Sequence, residues 1–195
     1  MSTSDLIKLG IEAILIQNVI LTQFLGICPF MGVSKKSQSA IGMGLAVIFV
    51  MVISSGVTFV INDLILQPNK ITYLQTIVFI LVISGVVQFV EMFIKKTAPF
   101  IYKTLGIYLP LITTNCAILG IALINVQPEK EFGYAEMFVY TIGISIGFTL
   151  VIYIFSTIRE RLENANVPKA FKGTPIALIT AGIMSIIFLG FAGLV

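Results

Sequence analysis

The chain contains no histidine and no tryptophan, and its 195 residues include only two cysteines, Cys28 and Cys116. Without imidazole to make up the number, two thiolates cannot complete a four-coordinate metal site, so any such site needs ligands from a second chain. There is no C-x-x-C, no G-x-x-x-x-G-K and no G-x-G-x-x-G after a strand. Nucleotide, flavin and ferredoxin handling are therefore not expected here. Gly42-Met43-Gly44 lacks the third glycine and lies within an apolar run, where packing accounts for it. Charge is scarce too, at 11% of residues, and the net charge of +3 is spread over short segments without an aromatic-interleaved basic patch. Nucleic acid is not an expected partner.

What remains is apolar. Hydrophobic residues make up 57% of the chain, the mean hydropathy is +1.05, and a single water-soluble core cannot absorb that much apolar surface. The lipid bilayer is the solvent that fits. A spanning helix needs about 20 mostly apolar residues, and six stretches qualify: Leu9 to Phe30, Ala40 to Leu66, Tyr73 to Ile94, Leu105 to Val126, Met137 to Ile158 and Pro175 to Val195. The expected fold is an all-α membrane protein of six transmembrane helices forming one domain over residues 1–195. Met1-Ser2-Thr3-Ser4-Asp5 lacks a basic n-region, so the first apolar stretch is expected to be a retained span, not a signal.

The first, third and fifth connections carry Lys35 and Lys36; Lys95, Lys96 and Lys103; and Arg159, Arg161, Lys169 and Lys172. These are nine of the twelve basic residues. Lys8, Lys70 and Lys130 lie on the opposite side, in company with Asp5, Glu12, Asp63, Glu129, Glu131 and Glu136. The positive-inside rule makes connections one, three and five cytoplasmic, which puts both termini outside. If residues 1–96 and 97–195 are repeats, an odd number of spans in each means that the second enters the membrane inverted. Each half has one cysteine on its first helix. Inverted repeats place their sites near the midplane on discontinuous helices.

Both cysteine helices are expected to be interrupted. Ile7 to Val33 spans about 27 residues, or about 40 Å as helix against a core of about 30 Å. Gly26, Gly32 and Pro29 point to a break at Gly26-Ile27-Cys28-Pro29. In the fourth stretch Pro110 interrupts Gly106-Ile107-Tyr108-Leu109, and Thr113, Thr114 and Asn115 can satisfy freed backbone groups just before Cys116. Three readings of the thiols stand side by side: packing as small hydrophobes, a disulfide, and ligation of a cluster with a partner's help. Packing is the default for lone thiols in apolar helices, and the Gly and Thr-Thr-Asn contexts make the physical case for the last, since loosened backbone can aim N–H groups at cluster sulfurs.

Four segments carry a resemblance. They are Phe24-Leu25-Gly26-Ile27-Cys28-Pro29-Phe30-Met31-Gly32-Val33-Ser34-Lys35-Lys36, Leu109-Pro110-Leu111-Ile112-Thr113-Thr114-Asn115-Cys116-Ala117, Ile158-Arg159-Glu160-Arg161-Leu162 and Ala177-Leu178-Ile179-Thr180-Ala181-Gly182. Together they closely resemble the membrane-protein family that includes the A component of the Rnf electron-transport complex. The similar E component of the sodium-translocating NADH:quinone reductase is a close second. The likeness runs from the first helix to the last. It implies a bacterial inner-membrane relay subunit of a redox-driven translocase that passes electrons between ferredoxin and NAD⁺ and moves Na⁺ or H⁺. It further implies pseudo-symmetric pairing with the homologous E component of Rnf, beside components B, C, D and G. The pair would share one [2Fe–2S] cluster, with Cys28 and Cys116 as two of its four ligands and Gly26, Ile27, Thr114 and Asn115 around them. The alternative to a relay is a small inverted-repeat transporter whose cysteines only pack.

Other polar residues at membrane depth have structural readings. Glu12 and Asp63 lie near the outer ends, while Gln17, Asn18, Gln23 and Gln88 sit deeper and are expected to join helices. Gly143 and Gly147 form a G-x-x-x-G pair for close helix packing, with a partner face as the other use. Arg159-Glu160-Arg161 is expected to anchor the cytoplasmic side, or to dock a peripheral subunit.

Overall fold

The computed structural model describes residues 3–34, 36–68, 72–97, 109–127, 132–165, 167–168 and 171–190. Lys35, Lys70, Lys103, Glu129, Lys130, Glu131 and Lys169, on which the charge asymmetry partly rests, lie outside these residues. So do Gly106, Ile107 and Tyr108, and the outer limits of the fourth and sixth stretches at Leu105 and Val195. The described chain is helical, with α1 (Thr3–Leu15), α2 (Ile27–Val33), α3 (Ser37–Ile61), α4 (Gln75–Thr97), α5 (Leu109–Thr113), α6 (Cys116–Asn125), α7 (Tyr134–Glu163) and α8 (Thr174–Leu189). No strand occurs among the described residues.

Among the described residues, three helices are long and apolar enough to cross a bilayer: α3 with its continuation to Leu66, α4 from Gln75 to Phe93, and α7. The remaining apolar stretches are built from shorter pieces. The first divides into α1 and α2 and the fourth into α5 and α6, so among the described residues the six apolar runs correspond to three continuous spans and several shorter pieces. α3 ends in a π-helical turn at Asn62–Leu66, where the Gln67 N–H donates to the Asn62 carbonyl.

α7 is the axis of the fold, packing against both α1 and α3. Small residues permit the close approach. A methyl on Gly143 would lie 2.9 Å from Ala13 Cβ, and one on Gly147 would lie 2.6 Å from the Ile14 carbonyl oxygen. The G-x-x-x-G pair thus receives α1 of the same chain. The pairing of Gly10 and Ala13 with Gly143, and of Ile14 with Gly147, makes α1 parallel to α7. Gly44 meets Thr149 and Gly56 meets Phe138, so α3 runs antiparallel to it. Phe30 stacks on Phe155 with ring centroids 4.1 Å apart, fastening α2 to the same axis. Large apolar side chains point outward from the bundle, among them Leu45, Phe49, Leu81, Phe89 and Ile186. Lipid can solvate such a surface and water cannot.

Both helix breaks form, and the first lies ahead of Pro29, reaching only Gly26 of the expected Gly26-Ile27-Cys28-Pro29. The first runs from Ile16 to Gly26, and helix resumes at Ile27. Pro29 falls in the first turn of α2, where backbone N–H groups have no intrahelical acceptor and proline's missing donor costs nothing. Pro110 lies in α5, the expected interruption at Gly106-Ile107-Tyr108 before it lies outside the described residues, and a break comes at Thr114-Asn115. Asn18 organises the first break. Its carbonyl accepts the N–H groups of Leu21 and Thr22 and the Thr22 hydroxyl, and its Oδ1 accepts the Ile20 N–H. The deep amides do join helices at Gln17, which donates to Glu12 Oε1 at 2.8 Å and accepts the Tyr140 hydroxyl at 2.6 Å.

Candidate functional site

The two breaks meet. The backbone N–H of Gly26 donates to Cys116 Sγ across 2.9 Å, joining segments 90 residues apart in sequence. Gly26 adopts φ +81°, ψ +18°, a left-handed conformation that glycine takes without the penalty of a Cβ. Its space is also restricted, since a methyl there would lie 2.9 Å from Phe148 Cε2 and 3.2 Å from Ala117 Cβ. Backbone conformation and close packing thus both require glycine at this position. The N–H it presents to sulfur is the kind of donor that tunes a thiolate or cluster.

Cys116 opens α6, and Asn115 caps it by accepting the Ala117 N–H at 3.1 Å. Because Oδ1 is engaged in that cap, Nδ2 is left as the free donor; it is buried and has no partner among the described residues. A buried amide donor without an acceptor is costly, and here it belongs to the residue next to a thiol. Cys28 occupies the first turn of α2, two residues beyond Gly26, and is exposed, whereas Cys116 is half-buried. Ile27 is 37% exposed and Thr114 is exposed too. Among the described residues, Gly26, Asn115 and Cys116 are therefore in one place, with Cys28 on the outer side of it. No three Cys, Asp or Glu side chains gather into a closed ion site among the described residues.

The thiols and their donors fit half of a cluster site. The set comprises one exposed thiol, one half-buried thiol already accepting a backbone N–H, and one orphaned amide donor.

Sequence reading missed Phe148, which walls the site behind Gly26. An aromatic on an apolar helix carries no signal of its own. Arg159 is buried and donates from Nη1 to the Met31 carbonyl and to Ser34 Oγ, both at 2.9 Å. Glu160 Oε1 accepts the Ser37 N–H at 2.8 Å. Within the expected cytoplasmic anchor, Arg159 and Glu160 clamp the end of α2 and the start of α3. On the other side of the break, Ser185 of α8 donates to the Leu21 carbonyl at 2.7 Å.

Residues 6–195 match the model of a family described as "Rnf-Nqr subunit, membrane protein". The chain is 56% identical over 189 residues, 97% of each protein, to the A component of the Na(+)-translocating ferredoxin:NAD(+) oxidoreductase complex of Acetobacterium woodii. It is 52% identical to the A component of the ion-translocating oxidoreductase complex of Syntrophotalea carbinolica, over 98% of each protein. With the corresponding Thioalkalivibrio sulfidiphilus protein it shares 54% identity over 95% of each. A match of this length and depth leaves no segment unaccounted for beyond the first few residues, and the chain belongs to the Rnf-Nqr family of membrane subunits.

Proposed function

We propose that this chain is an electron-relay subunit of an ion-translocating ferredoxin:NAD⁺ oxidoreductase in the bacterial inner membrane. Cys28 and Cys116 would supply two of the four thiolates of a [2Fe–2S] cluster, and the homologous E component would supply the others. Such a cluster carries one electron at a time. This chain's residues hold and tune that site. The Gly26 N–H donates to the Cys116 sulfur, the unpartnered Asn115 Nδ2 would be a donor for a cluster sulfur, and both would favour added negative charge. Phe148 and the α1–α7 seam keep the inner side dry. The single observation that carries the reading is the Gly26 to Cys116 hydrogen bond, because it joins the two helix breaks at one thiol and leaves the other thiol facing outward.

We infer that the chain makes six crossings as two inverted three-helix repeats, about 1–96 and 97–195, with both termini outside. In support, each half follows one order: a broken helix, a long helix and a third helix. The parallel α1–α7 and antiparallel α3–α7 pairs also have the sense that an alternating chain gives its first, second and fifth crossings.

The test is to purify the chain with its native partners, assay iron and record EPR of the reduced complex, then repeat with Cys28→Ser. Loss of one cluster signal with the complex intact is the expected result. An unchanged set of signals overturns the relay.

A further inference from the structure

α7 is 30 residues long, about 45 Å at about 1.5 Å per residue, against a hydrocarbon core of about 30 Å. Its ends therefore reach the level of the lipid headgroups. At the C-terminal end a cavity of about 350 Å³ opens between α7 and the start of α8, lined by Arg159 and Glu163 on one side and by Lys172 and Gly173 on the other. Leu162, Val167 and Ile176 make the rest of its wall apolar. A volume of this size lies within the range of small-molecule sites.

The polar lining is unevenly charged. Arg159 is buried, and its Nη1 donates to both the Met31 carbonyl and Ser34 Oγ. Nε and Nη2 remain, the side-on fork of the guanidinium that takes two oxygens of one phosphate. Lys172 is exposed and brings a second positive charge. Glu163 brings one negative charge, and among the described residues it forms no ion pair with either cation. The balance is a single positive charge. The N-terminus of α8 adds little beyond its dipole, because Pro175 has no N–H and the Ile176 N–H donates to the Phe171 carbonyl. Further along α8, Leu178, Ile179, Ile183 and Ile186 are exposed, an apolar surface on which acyl chains can lie.

We propose that this cavity binds the headgroup of an anionic phospholipid, its phosphodiester held by the Arg159 fork and the Lys172 ammonium and its acyl chains lying along α8. The charges match, since a phosphodiester carries one negative charge and the lining one positive. Free phosphate and nucleotides carry more negative charge, which Glu163 repels, and they leave the apolar wall without a partner. Basic pockets between membrane helices are the kind of site that takes anionic headgroups. Nη1 of Arg159 closes the end of α2 while its other nitrogens are left for the headgroup, so one guanidinium joins the lipid site to the helix that carries Cys28. The site goes beyond the relay reading and does not depend on it.

The experiment uses the complex purified with its native partners and stripped of lipid in a neutral detergent. Thermal unfolding is followed as phosphatidylglycerol is titrated, since a ligand bound only by the folded state raises stability with concentration. Phosphatidylcholine and inorganic phosphate are titrated in parallel. Lys172→Gln is expected to raise the phosphatidylglycerol concentration for half-maximal stabilisation by about fivefold, the weight of one basic residue at an anionic surface. Glu163→Gln is expected to lower it by about the same factor. Opposite shifts from two exposed residues distinguish a charge-reading site from a general change in stability. An unmoved midpoint in either variant overturns the proposal, and so do two shifts of the same sign. Stabilisation by inorganic phosphate or phosphatidylcholine that depends on Lys172 as strongly overturns the anionic-lipid assignment. If Lys172→Gln sheds a partner subunit whatever the lipid, an acidic side chain of that partner fills the cavity and the proposal falls. Should Lys172→Gln not accumulate, Glu163→Gln alone is held to its expected shift. The relay is decided separately, by the EPR signal that depends on Cys28.

Discussion

Gly26 and Cys116 face each other across the two helix breaks, with the backbone N–H of the first donating to the sulfur of the second at 2.9 Å. The contact rests on a glycine at φ +81° and on the Phe148 ring behind it. Gly26→Ala should cost about 1–2 kcal/mol for the left-handed conformation alone, and more because the new methyl meets Phe148 Cε2 at 2.9 Å. Thermal unfolding of the purified complex measures the loss. Adding Phe148→Leu should recover the steric part and leave the conformational part. Full recovery would mean that backbone strain contributes nothing.

Asn115 separates capping from tuning within one side chain. Its Oδ1 accepts the Ala117 N–H, while Nδ2 is buried without a partner among the described residues. Asn115→Ala removes both roles, and loss of the cap should cost about 1 kcal/mol. Asn115→Asp keeps an acceptor for the cap but removes the donor and brings negative charge beside Cys116. Redox titration followed by EPR should therefore show a lower midpoint potential in Asn115→Asp than in the parent. Equal potentials in parent and Asn115→Asp would show that the amide does not reach the sulfur site.

The sequence announces the breaks without locating them. A stretch of about 27 apolar residues is too long for one crossing, so an interruption near Cys28 is legible from length alone. Its place depends on Asn18, whose carbonyl and side chain collect the N–H groups that helix would otherwise use. Pro29 misleads because proline is tolerated in a first turn as readily as it breaks an interior. Gly143 and Gly147 are legible as a close-packing pair, but that they receive α1 of the same chain depends on tertiary structure.

Arg159 and Arg161 stand two residues apart in one run, and the fold separates their roles. Arg159 is buried and closes the end of α2 through the Met31 carbonyl and Ser34 Oγ, whereas Arg161 is exposed. Arg159→Met keeps the length of the side chain and removes its donors, leaving a fully buried Ser34 hydroxyl and a carbonyl unpaired, at about 1–3 kcal/mol. Arg161→Met should stay within about 0.5 kcal/mol, as substitutions on an exposed face do. Cys28 is carried on α2, the helix that Arg159 holds at its far end, so the stability loss in Arg159→Met should bring a broader EPR line from the proposed cluster. Arg159→Lys keeps the charge but not the forked geometry, and should fall between the two variants in thermal unfolding. If Arg159→Met unfolds at the same temperature as Arg161→Met, the α2 clamp has no energetic weight and Cys28 is positioned by Phe30 and Phe155 alone.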